Sequence, residues 1–138
     1  MGHLLDTCLL SEVWKPSPND GVIDWLEGST EDDLFLSVLS IGELKKGISN
    51  LPDGKRKARF LRDYALLRSR FSARILPVSD LVAERWGDLG ADAQRRGRHL
   101  HVVDGLIAST ALVFGMSVVT RNVSDFAMLP VPIVNPWT

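Results

Sequence analysis

Asp104-Gly105-Leu106-Ile107-Ala108-Ser109-Thr110-Ala111-Leu112-Val113-Phe114 is followed, across one glycine, by Met116-Ser117-Val118-Val119 and then by Thr120-Arg121-Asn122. Ile107, Ala111 and Phe114 recur at helical spacing, so 104–114 predicts a helix with one apolar face. The short apolar run 116–119, closed by polar residues, predicts a strand. Working outward, similar runs stand at 3–6, 34–38, 75–78 and 131–134. The first ends in Asp6 and the third carries Pro77. Between them, 8–15, 19–28, 41–50, 54–72 and 80–96 read as helices; Val22, Trp25 and Leu26 share a face in the second, and Ile41, Leu44 and Ile48 in the third. Strands that alternate with helices make βαβ units, so the fold class is α/β with a parallel sheet covered by helices. In such sheets chemistry sits where strands end and loops lead into helices.

Composition narrows the function classes. The 138 residues make one domain, 1–138, and at 45% hydrophobic and 24% charged a real core is expected and a disordered chain is excluded. The formal charge of −1 leaves no global basic field to attract nucleic acid. That balance hides an acidic start and a basic middle. Residues 1–33 hold Asp6, Glu12, Asp20, Asp24, Glu27, Glu31, Asp32 and Asp33 against Lys15 alone, whereas bases outnumber acids over 45–74. A single cysteine, Cys8, permits no internal disulfide and suits a reducing compartment. The opening residues lack a basic stretch and meet Asp6 almost at once, unlike a signal peptide. No apolar stretch approaches the ~20 residues of a membrane span. A cytoplasmic location is the expectation.

Three acids stand out by position. Asp6 closes the first strand, Glu43 falls in the first turn of the helix after the second strand, and Asp104 opens the helix before the strand at 116–119. Thr120, Arg121, Asn122 and Asp125 follow that strand. Each acid has a plain structural reading. Asp6 and Asp104 can cap helices, and Ser40-x-x-Glu43 fits a capping box. Taken together they imply more, because carboxylates gathered on one sheet edge repel unless a cation relieves them. Oxygen-only ligands select a hard dication such as Mg²⁺ or Mn²⁺. Such a site serves phosphodiester hydrolysis.

The segments Leu4-Leu5-Asp6-Thr7, Ser37-x-x-Ser40-x-x-Glu43-Leu44, Asp104-Gly105-x-Ile107-Ala108 and Thr120-Arg121-Asn122-x-x-Asp125-Phe126 resemble the PIN-domain family. Within it they are similar to VapC ribonuclease toxins of type II toxin–antitoxin systems, in particular the fast intracellular trafficking protein B-like subgroup. The stretches 75–78 and 131–137 share the resemblance, which covers essentially the whole chain. It implies a PIN-like α/β/α sandwich whose central, mostly parallel sheet has about four to five strands. It also implies a Mg²⁺-dependent endoribonuclease, with Mn²⁺ able to substitute, that leaves a 3′-hydroxyl and a 5′-phosphate. Asp6, Glu43 and Asp104 match the family's metal-binding acids. The family places a fourth acid near the Thr120-Arg121-Asn122 turn; Asn122 stands there and Asp125 follows three residues later. Cys8 replaces the asparagine that many relatives carry. Thr7, Ser40 and Thr120 read as hydroxyls that orient acids or waters. The implied partners are RNA, a small antitoxin whose tail covers the acidic groove, operator DNA through that antitoxin, and a second copy in a homodimer. No membrane is implied.

Lys45 and Lys46 follow Glu43 on one helix and are candidate RNA-backbone contacts; a solvated helix face explains them equally well. His99 and His101 lack further zinc ligands nearby and read as surface or core residues. Trp25 and Trp86 fit helical apolar patterns and read as core, while Trp14 and Trp137 remain open to an interface role. Surplus apolar surface on 19–28 and 41–50 would suit a homodimer or partner helix. Two rival functions are an Asp-centred phosphatase, which needs an acid where Cys8 stands, and a catalytically idle PIN-like module acting through its antitoxin. Mn²⁺ binding separates the active and idle forms.

Overall fold

The computed structural model describes residues 2–138. Five strands form one sheet in the order β3-β2-β1-β4-β5: β1 (His3–Leu5), β2 (Leu34–Ser37), β3 (Ile75–Leu76), β4 (Ser117–Val119) and β5 (Ile133–Val134). Every neighbouring pair is parallel. β1 lies between β2 and β4, with Leu4 opposite Phe35 on one side and Val118 on the other. The chain builds outward from β1 through β2 to β3, then returns to lay β4 against the other edge of β1. The order reverses between β1 and β4, and in parallel sheets the crevice for function opens at the carboxyl ends of such strands.

Strand alternation divides the core into two layers. Leu4 and Val118 face one way, onto Leu89 of α5 (Asp80–Arg95) and Ile107, Ala108 and Ala111 of α6 (Val102–Phe114). Leu5, Leu36 and Val119 face the other, onto α1 (Thr7–Val13), α2 (Asp20–Glu27) and α3 (Val38–Ser49), with Phe71 beyond α4 (Lys55–Arg70) closing that layer. Leu4, Leu36, Val118 and Val119 are fully buried. Each such side chain stabilises the fold by about 1.5–3 kcal/mol relative to exposure. α5 packs on α6 closely because Gly105 has no side chain: a Cβ there would lie 2.9 Å from both Leu100 and Trp86.

Several expectations from sequence need correction. α3 starts at Val38, because the Ser37 hydroxyl accepts from the Leu39 amide and caps it directly at the strand end. Ser40 is therefore buried inside the helix, Glu43 sits in its second turn, and no capping box forms. α6 starts at Val102, with His101 in the capping position, so Asp104 lies within the first turn and does not open the helix. β3 stops before Pro77, which has no N–H to continue the ladder. Met116 precedes β4 because Gly115, at φ +67°, ends α6 in the left-handed conformation. A short helix, α7 (Val123–Phe126), follows Asn122. The apolar faces of α2 and α3 are spent on the core through Val22, Ile41, Leu44 and Ile48; exposed Leu61 and Leu66 lie on α4 and Leu81 on α5.

Trp137 and Thr138 are clasped to the α1–α2 connection. The buried Glu12 carboxylate accepts from Lys15 Nζ at 2.9 Å, the Asn19 amide at 3.0 Å and Trp137 Nε1 at 3.3 Å. Asn19 also bonds Thr138 through its side chain. The Lys15 hydrogen bond, then the Asn19 amide, hold the Glu12 carboxyl below the usual carboxylate range against the opposing effect of burial. A carboxyl lowered on folding stabilises the protein above its unfolded value of about 4, and that contribution is lost as pH falls through the lower folded value. Glu12→Gln is thus expected to lower the melting temperature at pH 7, with the gap to wild type closing as the pH falls below about 4. Melting curves across pH check this; a gap that stays constant into acid would overturn it.

Candidate active site

Asp6 follows β1 immediately, and its backbone N–H donates to Val119 O of β4 at 3.0 Å. Its buried carboxylate is held from two directions. Oδ1 accepts from the Thr7 amide at 2.8 Å, which caps α1, and Oδ2 accepts from Thr120 Oγ1 at 2.8 Å. Capping and clustering coexist here, since the cap uses one oxygen. Thr120, wholly buried at the end of β4, accepts in turn from the Asn122 amide at 3.0 Å. Its hydroxyl ties the β4–α7 turn to Asp6.

Glu43 reaches the same crevice from α3. Its Oε1 accepts from Thr7 Oγ1 at 2.6 Å, so Thr7 links the Asp6 and Glu43 carboxylates by its backbone and its side chain. Asp104 approaches from the first turn of α6, half-buried. Burial pushes its carboxyl up, and the charges of Asp125, Asp6 and Glu43 push the same way; His101 alone opposes them. Asp125, Asp6 and Glu43 thus each lie within electrostatic reach of Asp104. Among the described residues none of the four forms an ion pair with lysine or arginine.

The remaining candidates separate. Asp125, exposed on α7, exerts the largest charge effect on Asp104, second only to burial. Asn122 is exposed at the start of α7, makes no side-chain cap, and contributes its backbone amide to Thr120. Thr7 and Thr120 hydrogen-bond acids as hydroxyls, whereas the buried Ser40 Oγ finds no partner among the described residues. Lys45 lies over the Tyr64 ring at 5.5 Å, engaged with α4, and Lys46 is exposed. Cys8 sits in the first turn of α1. Its thiol lies 3.7 Å from Asp6 Oδ2 and 3.5 Å from Thr120 Oγ1, and accepts from the Arg121 amide at 3.5 Å. Burial pushes this thiol up, which keeps it protonated and able to donate to Asp6. Contacts across more than a hundred residues leave no local pattern to read. His101, read from sequence as a surface or core residue, is exposed, and its charge opposes that of the acids acting on Asp104.

Among the described residues no three Asp, Glu, His or Cys side chains lie close enough to make a ready ligand set. The donor chemistry nevertheless fits a hard dication. The set is carboxylate, among the described residues none of it is ion-paired with lysine or arginine, and burial, followed by the charge of the neighbouring acids, raises Asp104. Magnesium takes one or two carboxylates and keeps several waters, so a loose ring of acids suits it better than a closed cage.

The PIN domain family matches residues 3–129. The chain is 37% identical to the VapC ribonuclease Y4jK of Sinorhizobium fredii over 97% of its own length and 96% of that protein. It is 34% identical to toxin FitB of Neisseria gonorrhoeae, with 97% of each chain covered. The structure of FitAB bound to an IR36 DNA fragment contains a chain that superposes with a TM-score of 0.93 at 33% identity, covering 99% of this chain and 96% of that one. Sheet order, the acids at the switch point and whole-length similarity agree, and the chain belongs to the PIN-domain family.

Proposed function

We propose that this chain is a divalent-metal-dependent endoribonuclease, the toxin of a VapBC-like type II pair, acting in the cytoplasm. One observation carries the reading: Thr7 bonds both the Asp6 and the Glu43 carboxylates at the β1–β4 switch point, and among the described residues no lysine or arginine pairs with either of them or with Asp104. Relatives named as ribonucleases supply the substrate class. Asp6, Glu43 and Asp104 are the residues that would hold Mg²⁺, with Asp125 the better-placed fourth acid. When bound, the metal supplies polarisation of a phosphoryl oxygen and acidification of a water. The protein's own part is orientation. Thr120 and the Thr7 amide fix the Asp6 carboxylate, and the Thr7 hydroxyl fixes Glu43, the group best suited to orient the attacking water.

FitB was solved as FitAB on DNA, which supports a small antitoxin partner here and operator DNA reached through it. Exposed Leu61, Leu66 and Leu81 give a homodimer or an antitoxin helix apolar surface to cover. No described helix is long and apolar enough to cross a membrane.

The test is cleavage of single-stranded RNA by purified protein with Mg²⁺ or Mn²⁺, with EDTA as the arrest. Cleavage that needs the metal, stops with EDTA and resumes on metal excess is expected. Activity indifferent to EDTA would overturn the reading, as would phosphate release from small monoesters without RNA cleavage. An absence of calorimetric Mn²⁺ binding would favour the idle module, for which the exposed Asn122 at the fourth position is the one supporting observation.

A further inference from the structure

A cleft of about 480 Å³ runs between α1, α3 and α4. That size is within the range of pockets that enclose small organic groups, roughly 300–1,000 Å³. Its inner end is made by Thr7 and Glu43, so it opens directly onto the acidic cluster. Its floor is apolar, from the buried Leu44 and Ile48. One wall is aromatic: Trp14 and Phe60 lie 5.9 Å apart, tilted by 42°. The rim carries Arg56 and Arg59, whose guanidinium groups stand 5.6 and 5.1 Å from the Phe60 ring centre. Both arginines are exposed, and among the described residues neither forms an ion pair. Aromatic and guanidinium planes of this kind are the surfaces on which unstacked bases lie.

Three demands meet in one space. The rim attracts an anion, the aromatic wall suits a flat π-system, and the end lined by Glu43 adjoins the acids where the proposed nuclease would cut a phosphodiester. An acidic peptide meets the first and fails the second. A nucleotide meets all three. We propose that this cleft is a nucleobase pocket, taking one unstacked base of single-stranded RNA beside the scissile phosphate, with Arg56 and Arg59 holding the adjoining backbone. The proposal rests on the nuclease reading and adds to it a subsite: a base preference at one position of the single strand. Duplex RNA cannot present a base in this way.

Gly47 gives the means to test it. It lines the cleft on the exposed side of α3, and a Cβ added there meets nothing within 4 Å. Gly47→Leu fills the cleft from the open side without crowding the core and adds no ring for a base to stack on. Phe60→Leu removes the stacking face at nearly constant apolar volume. The probe is fluorescein-labelled single-stranded RNA about 10 nucleotides long, bound by the full chain in EDTA and followed by anisotropy. Abasic replacements are scanned along it, and circular dichroism melts confirm each variant's fold. Wild type is expected to lose about tenfold in affinity when one particular base is removed. Both variants are expected to bind intact RNA about tenfold more weakly and to be insensitive to that same abasic replacement.

Equal affinity of variants and wild type for intact RNA would overturn the pocket. So would an equal loss on duplex and single-stranded RNA. Variants that keep RNA binding but no longer hold a co-expressed antitoxin would assign the cleft to that protein instead. Failure of the nuclease reading looks different: base-dependent binding that Gly47→Leu abolishes, with no cleavage on adding Mn²⁺.

Discussion

Asp6→Asn lowers RNA cleavage by about a thousandfold or more, equivalent to ~4 kcal/mol of transition-state stabilisation, while leaving the fold and its melting temperature nearly unchanged. The two halves of this expectation come from the two oxygens of one side chain. Asparagine is as good a helix cap as aspartate, so the bond from the Thr7 amide survives and α1 keeps its start. The Thr120 hydroxyl can rotate to suit the amide. What disappears is negative charge at the place where a dication would be held. If capping were the whole role of Asp6, Asp6→Asn would be silent in activity. Asp6→Ala separates the roles from the other side, because it loses activity and also about 1 kcal/mol of cap. Cleavage rates with thermal melts on nuclease-free preparations check both. An Asp6→Asn protein that cuts RNA at the wild-type rate would remove the basis of the proposed mechanism.

The second large effect belongs to a residue that touches no substrate. Thr120→Val keeps the shape of a wholly buried side chain and deletes the hydroxyl that donates to Asp6 and accepts from the Asn122 amide. Partners that orient ligating groups typically matter by 10–100-fold, so kcat is expected to fall by about that factor while KM for RNA holds. Affinity for Mn²⁺, read by calorimetry, is expected to fall with kcat. Stability is expected to drop by about 1–3 kcal/mol, because two polar groups lose their partner in the interior. Thr120→Ser restores the hydroxyl and is expected to recover kcat. Loss of stability in Thr120→Val with kcat and Mn²⁺ affinity intact would make Thr120 a structural residue only.

The α/β class and the ends of the strands were readable because both depend on local pattern. Leu34 to Leu36 and Val118 to Val119 are short runs buried on both faces, and the helices between them carry clear periodicity. Asp6 was readable because it closes a strand, whereas Glu43 and Asp104 lie inside helices, in the second turn of α3 and the first turn of α6, where the sequence pattern misjudges their positions by a few residues. Helix starts were less so. Val38 and Leu39 continue the apolar run of β2, and only the capping by Ser37 shows where the strand stops. α7 is a single turn, too short to show a period. Asp125 could be placed against Asn122 only once the turn after β4 was folded. The Cys8 contacts and the pairing of Trp14 with Phe60 join segments far apart in the chain, and no window of sequence contains both partners.

The bond between Thr120 and Asp6 spans 114 residues. During synthesis, Asp6 leaves the ribosome well before Asp104 and Thr120. Long-range contacts of this kind form late, after the intervening loop has closed. A nascent or truncated chain therefore carries the acids without the crevice. Any chemistry that needs the crevice is withheld until Thr120 has docked against Asp6.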